Sequence, residues 1–506
     1  ACLRAAQGPG GRRARPRPIP AAAAQKACES GGRRMGQLVG ILLQVFSPAQ
    51  HRDPLENLRL AVERAEAAGV AEESLDNVRT RLKELEQEVG KELTISVRHA
   101  ASGEILTILR ARHNDTAANL REALLRTTDL SGVALHFVFQ SQVLDDRQTL
   151  KEVGVTDGDA VLLVQTPLLC LTASFDGTAR IWYLQTGDCR KMLVAQLGGQ
   201  VQSATFSPSG TTLLTVSLDG EGKLWCAETG ALLCELSRQE GRVLSGEFSS
   251  DGRWIAGASD DCTAKVWCAS SGEALKTLSG HGDDVKSAAF SPDCALIATA
   301  SCDCTARLWT SSNGDCVGVL AGHSDVVKSA SFSTNGLLVV TASMDSTACI
   351  WNAVGAQACE CLQVLRGHAK AVNSAAFSPN EGRVLTASFD GTVRVWQAED
   401  GECILVLPAD NAVVNAATFS PDGSLVLVAS GGECVRLFHT ETGECALTLA
   451  GHDDWVRAAA FSPDGTLVAS ASYDGTARVW SAVTGECLQT LAGHTEAVVS
   501  AEIVAA

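Results

Sequence analysis

The sequence predicts a largely all-β chain: eight stacked copies of one short unit, preceded by a small α+β segment and a helical pair. Three observations carry that prediction. Eight segments close on an aromatic after an acidic or glycine-rich turn, at Trp182, Trp225, Trp267, Trp309, Trp351, Trp396, Phe438 and Trp480, with gaps of 43, 42, 42, 42, 45, 42 and 42 residues. Within each unit, period-two alternation is broken by Pro-Asp-Gly or Asp-Gly, the pattern of short strands joined by tight turns. Ahead of residue 166 the period changes, and alternating segments bracket an amphipathic helix. A unit this short cannot bury a core alone, so its copies stack and their number sets the architecture.

The 506 residues are 45% hydrophobic but only 5% aromatic, so small and branched side chains must build the cores. Net charge is −17; residues 1–34 hold eight Arg or Lys against Glu29, which leaves −24 for the remainder. An acidic body argues against nucleic-acid binding, which needs clustered cations on phosphates. No apolar run reaches the length of a membrane-spanning helix. The 19 cysteines recur largely in phase with the repeat, as at Cys189, Cys316, Cys403, Cys445 and Cys487, each after an acidic turn. They are expected to be reduced thiols packing as small hydrophobes. Neither Cys302-x-Cys304 nor Cys359-x-Cys361 has zinc-site spacing, and no metal or cofactor is expected.

In chain order, residues 1–34 are expected to be a disordered basic segment, either transit-like or lying upstream of a start at Met35. Residues 35–52 form a linker with a short apolar stretch, Leu38 to Phe46. Over 53–90 the spacing predicts a helical hairpin. Asp53 can cap the first helix and Pro54 suits its first turn; Leu55, Leu58, Val62 and Ala65 make its stripe before Gly69. Leu75, Val78, Leu82, Leu85 and Val89 form the second stripe. Over 91–166, ELTISV and GEILTIL alternate as a hairpin, NDTAANLREALLR reads as a capped helix, and LHFVFQ and AVLLVQ read as strands. This order, with VLDDRQTLKEVGVTDGDAVLLV at its end, resembles the ubiquitin-like family over the whole segment. The resemblance implies a receptor-binding apolar patch at Ala100, Val138 and Val164, with Ala100 smaller than the leucine expected there. Gln165, Thr166 and Pro167 run straight into the repeats, where ubiquitin ends in a free Gly-Gly, so this copy is not a conjugated modifier.

Over 167–506 each unit reads GHxxxVxxAxFSPDGxxxxTASxDGTAxxW, then xxxTGECLxxL, and resembles the WD40 family. The resemblance implies a β-propeller of four-stranded blades, and eight terminal aromatics imply eight blades. The first unit, LLCLTASFDGTARIW, lacks its GHxxxV strand, while GHTEAVVSAEIVAA at 493–506 lacks everything after that strand. Together they complete one blade, a clasp expected to close the ring and leave no free sheet edge.

A His, a hydroxyl, an Asp and a Trp recur together, as His281, Thr299, Asp303 and Trp309, or His452, Ser470, Asp474 and Trp480. The set mimics a Ser-His-Asp triad, but the resemblance implies a buried hydrogen-bond network, and a set copied around a ring reads as structure. Three units lack the His, near Gln200, Arg242 and Asn411; the seventh also carries Gly432 and Phe438, and these units are expected to be less rigid. No GxxxxGK[ST], HExxH or GxSxG motif appears, so no enzyme is expected.

Function is then expected on surface the repeat does not need. The resemblance implies a docking rim at the residue before each turn Asp: Phe175, Leu218, Asp260, Cys302, Met344, Phe389, Gly431 and Tyr473, with Trp455 beside Tyr473. Several of these are large and apolar, as in an interface hot spot. Lys286, Lys328, Asn373, Asn415 and Arg457 form a second cluster, suited to an acidic peptide or phosphate. The expected function is a non-enzymatic scaffold or adaptor binding other proteins or peptides, cytoplasmic, with nuclear, cytoskeletal or organellar placement left open. A ubiquitin–proteasome factor, or a centriolar or ciliary assembly factor on the strength of TGECLQTLAGH, are the alternatives.

Overall fold

The computed structural model describes residues 92–505, apart from short stretches at 101, 128–132, 141, 145–147, 196–198, 355–358 and 410–411. The basic segment 1–34, the linker 35–52 and the helical hairpin 53–90 lie outside the described residues. Two compact units divide the chain, one drawn mainly from before Val164 and the other from Gln165 onward.

In the first unit, β1 (Glu92–His99) and β2 (Ile105–Arg112) form an antiparallel hairpin, followed by α1 (Ala117–Thr127), β3 (Val133–Phe139), β4 (Gln142–Val143), α2 (Leu150–Val153) and β5 (Ala160–Ser174). The sheet order is β2-β1-β5-β3-β4, with β1 and β5 parallel. Alternation explains the core. Leu93, Ile95 and Val97 of β1 and Val161 and Leu163 of β5 are buried, with Leu120 and Leu124 one helical turn apart on α1 above them. α2 and β4 have no counterpart in the strand-strand-helix-strand-strand prediction. A capping box starts α2: Thr149 accepts from the Glu152 N–H while Glu152 accepts from the Thr149 N–H.

The second unit is built from repeated antiparallel sheets of four strands. Seven run in chain order, for example Val285–Phe290, Leu296–Ser301, Thr305–Thr310 and Cys316–Ala321. An eighth ladder joins distant parts of the chain: the strand Val498–Ala505 pairs with Leu168–Ser174 of β5, which pairs with β6 (Thr178–Tyr183), which pairs with β7 (Cys189–Val194). The second strand of each sheet is buried on both faces, as in Leu296–Ser301, whereas the fourth is mostly exposed, as in Cys316–Ala321. That gradient explains the composition: small residues such as Ala298, Thr299, Ala300 and Ser301 are needed where neighbouring sheets cover both faces. One core cluster joins Ala298, Leu308 and Leu320 of one sheet to Val327, Val339 and Trp351 of the next. A homologous cluster joins Leu467, Val479 and Leu491 to Leu168, Trp182, Val498 and Ile503.

Each first strand carries a bulge just after its leading valine. Between Val285 and Ser287 the register slips, leaving Lys286 opposite no partner. The same slip occurs after Val327, Val372, Val414 and Val456. A bulge re-aims its extra residue away from the ladder, so Lys286, Lys328, Asn373, Asn415 and Arg457 are freed from regular pairing by one backbone device.

Candidate functional site

The repeated polar set is present as a closed relay. In the sheet containing Thr299, the Trp309 Nε1–H donates to Thr299 Oγ1 at 2.8 Å, Thr299 Oγ1 lies 2.8 Å from His281 Nε2, and His281 Nδ1 lies 2.8 Å from Asp303 Oδ2. His452, Ser470, Asp474 and Trp480 repeat it at 2.7–2.8 Å. The partners assign a neutral imidazole with its proton on Nδ1. Burial pushes His281, His452 and His494 below the usual histidine range, against the pull of their Asp partners. Burial pushes the Asp303 carboxyl up, but hydrogen bonds from Thr305, Gly282 N–H and His281 outweigh it and hold the group at about 2. The Thr299 hydroxyl is fully buried and engaged on both sides, so it has no approach for a substrate. Of the two hydroxyls in each TAS or SAS segment, the first serves the relay; the second, Ser301, binds the Asp283 carbonyl and the Asp303 N–H.

The same relay joins residues far apart in sequence. His494 Nε2 lies 2.8 Å from Thr172 Oγ1, His494 Nδ1 lies 2.9 Å from Asp176 Oδ2, and Trp182 Nε1 donates to Thr172 at 2.8 Å.

Units lacking the His compensate in ways the repeat pattern conceals. Gln239 occupies the His register before Val243 and donates through Nε2 to Asp261 and Thr263. There Gly257 stands in for the hydroxyl, and the Trp267 indole donates instead to Ser237. In the seventh unit Val428 replaces the hydroxyl and packs in one apolar cluster with Phe438. Gln239 thus takes over the donor side of the His, while its own Oε1 is buried without a partner, and the seventh unit replaces hydroxyl and indole together by apolar packing.

The rim has its own repeated geometry. In every unit the residue before the turn position donates its N–H to the carbonyl just ahead of the leading valine: Tyr473 to Trp455 at 3.0 Å, Met344 to Val326 at 2.9 Å, Phe389 to Ala371 at 2.9 Å, Leu218 to Gln200 at 3.0 Å, Phe175 to Ala497 at 3.0 Å and Gly431 to Val413 at 2.7 Å. Outside the seventh unit, where the position is Gly431, two side chains thus stand side by side. Trp455 (56% exposed) and Tyr473 form one such pair, and Phe175 meets Tyr473 with ring centroids 6.5 Å apart. Leu218, Met344 and Phe389 hold the equivalent register in other sheets, Met344 exposed and the others half-buried.

The basic cluster is less basic than its sequence. Lys286 Nζ lies 2.9 Å from Asp284 Oδ2, Asn373 Nδ2 donates to the Asn415 carbonyl, and Asn415 Nδ2 donates to the Val456 carbonyl. The two amides stitch adjacent first strands together, while Lys328 and Arg457 sit half-buried at that register.

In the first unit, Ala100 is exposed and Val138 and Val164 are half-buried. Val138 sits directly opposite Val143, which is exposed, and alternation puts the exposed Leu162 on the same side of β5 as Val164. Val143, Leu162 and the exposed Ile108 of β2 were missed by residue-by-residue carry-over. Their outward register was the available signal.

Among the described residues no group of three or more His, Cys, Asp or Glu side chains could hold a metal ion, and no helix is long and apolar enough to cross a membrane.

The family described as "WD domain, G-beta repeat" matches at 187–226, 230–268, 272–310, 314–352, 359–397, 401–439 and 443–481; the stretch ending at Trp182 is not among them. The "Ubiquitin family" matches at 93–168. A solved structure titled as the computationally designed Ika8 protein is similar, at 27% identity and a TM-score of 0.54, over 59% of this chain and 89% of that one. No match was found among curated proteins.

Proposed function

The chain belongs to the WD domain, G-beta repeat family and carries a ubiquitin-family domain ahead of its repeats, and from that premise we propose that it is a non-enzymatic scaffold that binds protein partners on the rim of an eight-bladed, closed propeller. The observation that carries the reading is the rim group of Trp455, Tyr473 and Phe175. Large aromatics held at an exposed edge by backbone bonds resemble preformed anchor residues, which concentrate binding energy at interfaces. Eight blades are supported by the ladder that the strand Val498–Ala505 forms with β5, β6 and β7, and closure by the relay through His494 and Thr172. Absence of catalysis is supported by a Ser-His-Asp pattern whose hydroxyls are buried and engaged. The test is affinity purification with mass spectrometry on the intact chain and on the double variant Trp455→Ala, Tyr473→Ala. The variant should lose partners while its melting temperature stays within about 2 °C of wild type; an unchanged partner list removes the rim from the reading.

A second reading, a factor in ubiquitin-dependent turnover, is favoured by the exposed face carrying Ile108, Val143 and Leu162 beside Val138 and Val164. Val138→Asp should abolish capture of ubiquitin receptors by the intact chain. If wild type captures none, this reading fails and the scaffold reading stands alone.

A further inference from the structure

The rim group has a shape and a charge that point to its ligand. Seven units carry a side chain before the turn position, but the seventh carries Gly431. A methyl placed there would lie 3.9 Å from Trp455 Cδ2 and 3.5 Å from the Val413 carbonyl, so the glycine leaves a notch against one edge of the indole. Val413 and Trp455 are exposed on either side of it. Carboxylates fringe the group, each tied to it through the backbone. Asp453 and Asp454 precede Trp455, and Asp454 Oδ1 accepts the Trp455 N–H at 2.7 Å. The Val456 N–H donates to the Gly432 carbonyl at 3.1 Å, which sets Glu433 beside the Trp455 loop. The bond from Phe175 to the Ala497 carbonyl does the same for Glu496. Asp453, Asp454, Glu433 and Glu496 are exposed, and none is ion-paired among the described residues. Arg457 follows Trp455 by two positions, one cation against these four carboxylates.

An exposed indole among unpaired carboxylates attracts a cation twice, through its ring face and through the surrounding charge. An acidic or phosphorylated ligand would meet repulsion here, and in the second cluster Lys286 is already paired with Asp284. We propose that this patch binds a partner peptide through an arginine or lysine side chain laid on Trp455 beside the Gly431 notch, its charge met by Asp453, Asp454, Glu433 and Glu496. The inference rests on the rim reading and names the chemistry of its ligand.

The experiment is a fluorescein-labelled positional-scanning hexapeptide amide library read by polarisation against three full-length proteins: wild type, Trp455→Ala, and the double variant Asp453→Asn, Glu496→Gln. Wild type should prefer Arg or Lys at one position or more by about tenfold over Gln and Glu. The double variant should lose that preference while still binding apolar peptides, and Trp455→Ala should lose peptides of every class. A wild-type preference for Glu or Asp, or none between charge classes, overturns the cationic ligand; so does an undiminished preference in the double variant. If Trp455→Ala loses its co-purified partners while the double variant keeps both its partners and its peptide profile, the rim reading survives and only the cationic inference falls.

Discussion

At the scale of the residue, the relay decides what a hydroxyl is for. Thr299 links an indole N–H to an imidazole nitrogen in a site without water access, so its removal strands two polar groups rather than one. Thr299→Val keeps the shape and should cost about 3 kcal/mol, measured by urea denaturation, because each stranded buried group costs roughly 1–3 kcal/mol. A loss below about 0.5 kcal/mol would mean that the indole and imidazole find other partners. The seventh unit shows the alternative solution: Val428 sits where Thr299 does, and Phe438 removes the donor that would need it. A polar network and its coherent apolar replacement are both stable arrangements, whereas half of either is not. The network and its loss in the seventh unit are legible in the sequence; the apolar packing of Val428 with Phe438 that replaces it is not. Nor is the role of Gln239, because a glutamine outside the GH motif carries no signal until register places it.

At the scale of the element, the four-strand gradient from exposed edge to doubly covered centre follows from alternation and small side chains, and it is legible without coordinates. The bulge after each leading valine is not. One extra residue per ladder changes no period, yet it turns Lys286, Asn373 and Arg457 away from their ladders. The strand Val498–Ala505 is the element with the largest consequence. It pairs seven residues with β5, from Ser174 to Leu168, and contributes Val498 and Ile503 to a core with Leu467 and Trp182. Deleting residues 493–506 removes that ladder, the His494 relay and part of the core, and exposes an unpaired edge on β5. The melting temperature should fall by several degrees in differential scanning calorimetry, with aggregation on heating; an unchanged melt would show that the eighth ladder contributes nothing to stability.

At the scale of the whole molecule, repetition multiplies small electrostatic preferences into a pH profile. Histidines with depressed pKa values (His281, His368, His452 and His494) bind protons in the unfolded chain but not in the fold, so they add stability above about pH 6.5 and lose it below. Asp176, Asp303 and Asp390, held at about 2, add stability above about pH 4 and lose it as pH falls toward 2. Glu247 opposes them. It lies on the first strand Val243–Phe248, where the residue is accessible but its carboxyl is enclosed, and that desolvation pushes it up to about 7. Its folded form is penalised as pH rises from 4.5 to 7. Melting temperature should therefore begin to fall as pH drops through about 6.5, where the His contribution is lost, and fall again below about pH 4, where the Asp contribution is lost, and Glu247→Gln should raise it more at pH 8 than at pH 5. Equal effects at the two pH values would show that Glu247 is not enclosed.

The sequence by itself determined the repeat period, the strand order of each unit, the ubiquitin-family segment and the residues of the relay, because alternation, turn chemistry and a recurring polar set are local and copied many times. Tertiary structure alone decided which distant copies touch. Phe175 meets Tyr473, already beside Trp455 in its own sheet, where the strand Val498–Ala505 pairs with β5, a ladder between residues more than 300 positions apart. The notch at Gly431, the pairing of Lys286 with Asp284 and the outward face of Leu162 likewise depend on neighbours brought in by folding. Local rules repeat along a chain, but a surface is made of differences between copies, and those acquire meaning only when packing sets them side by side.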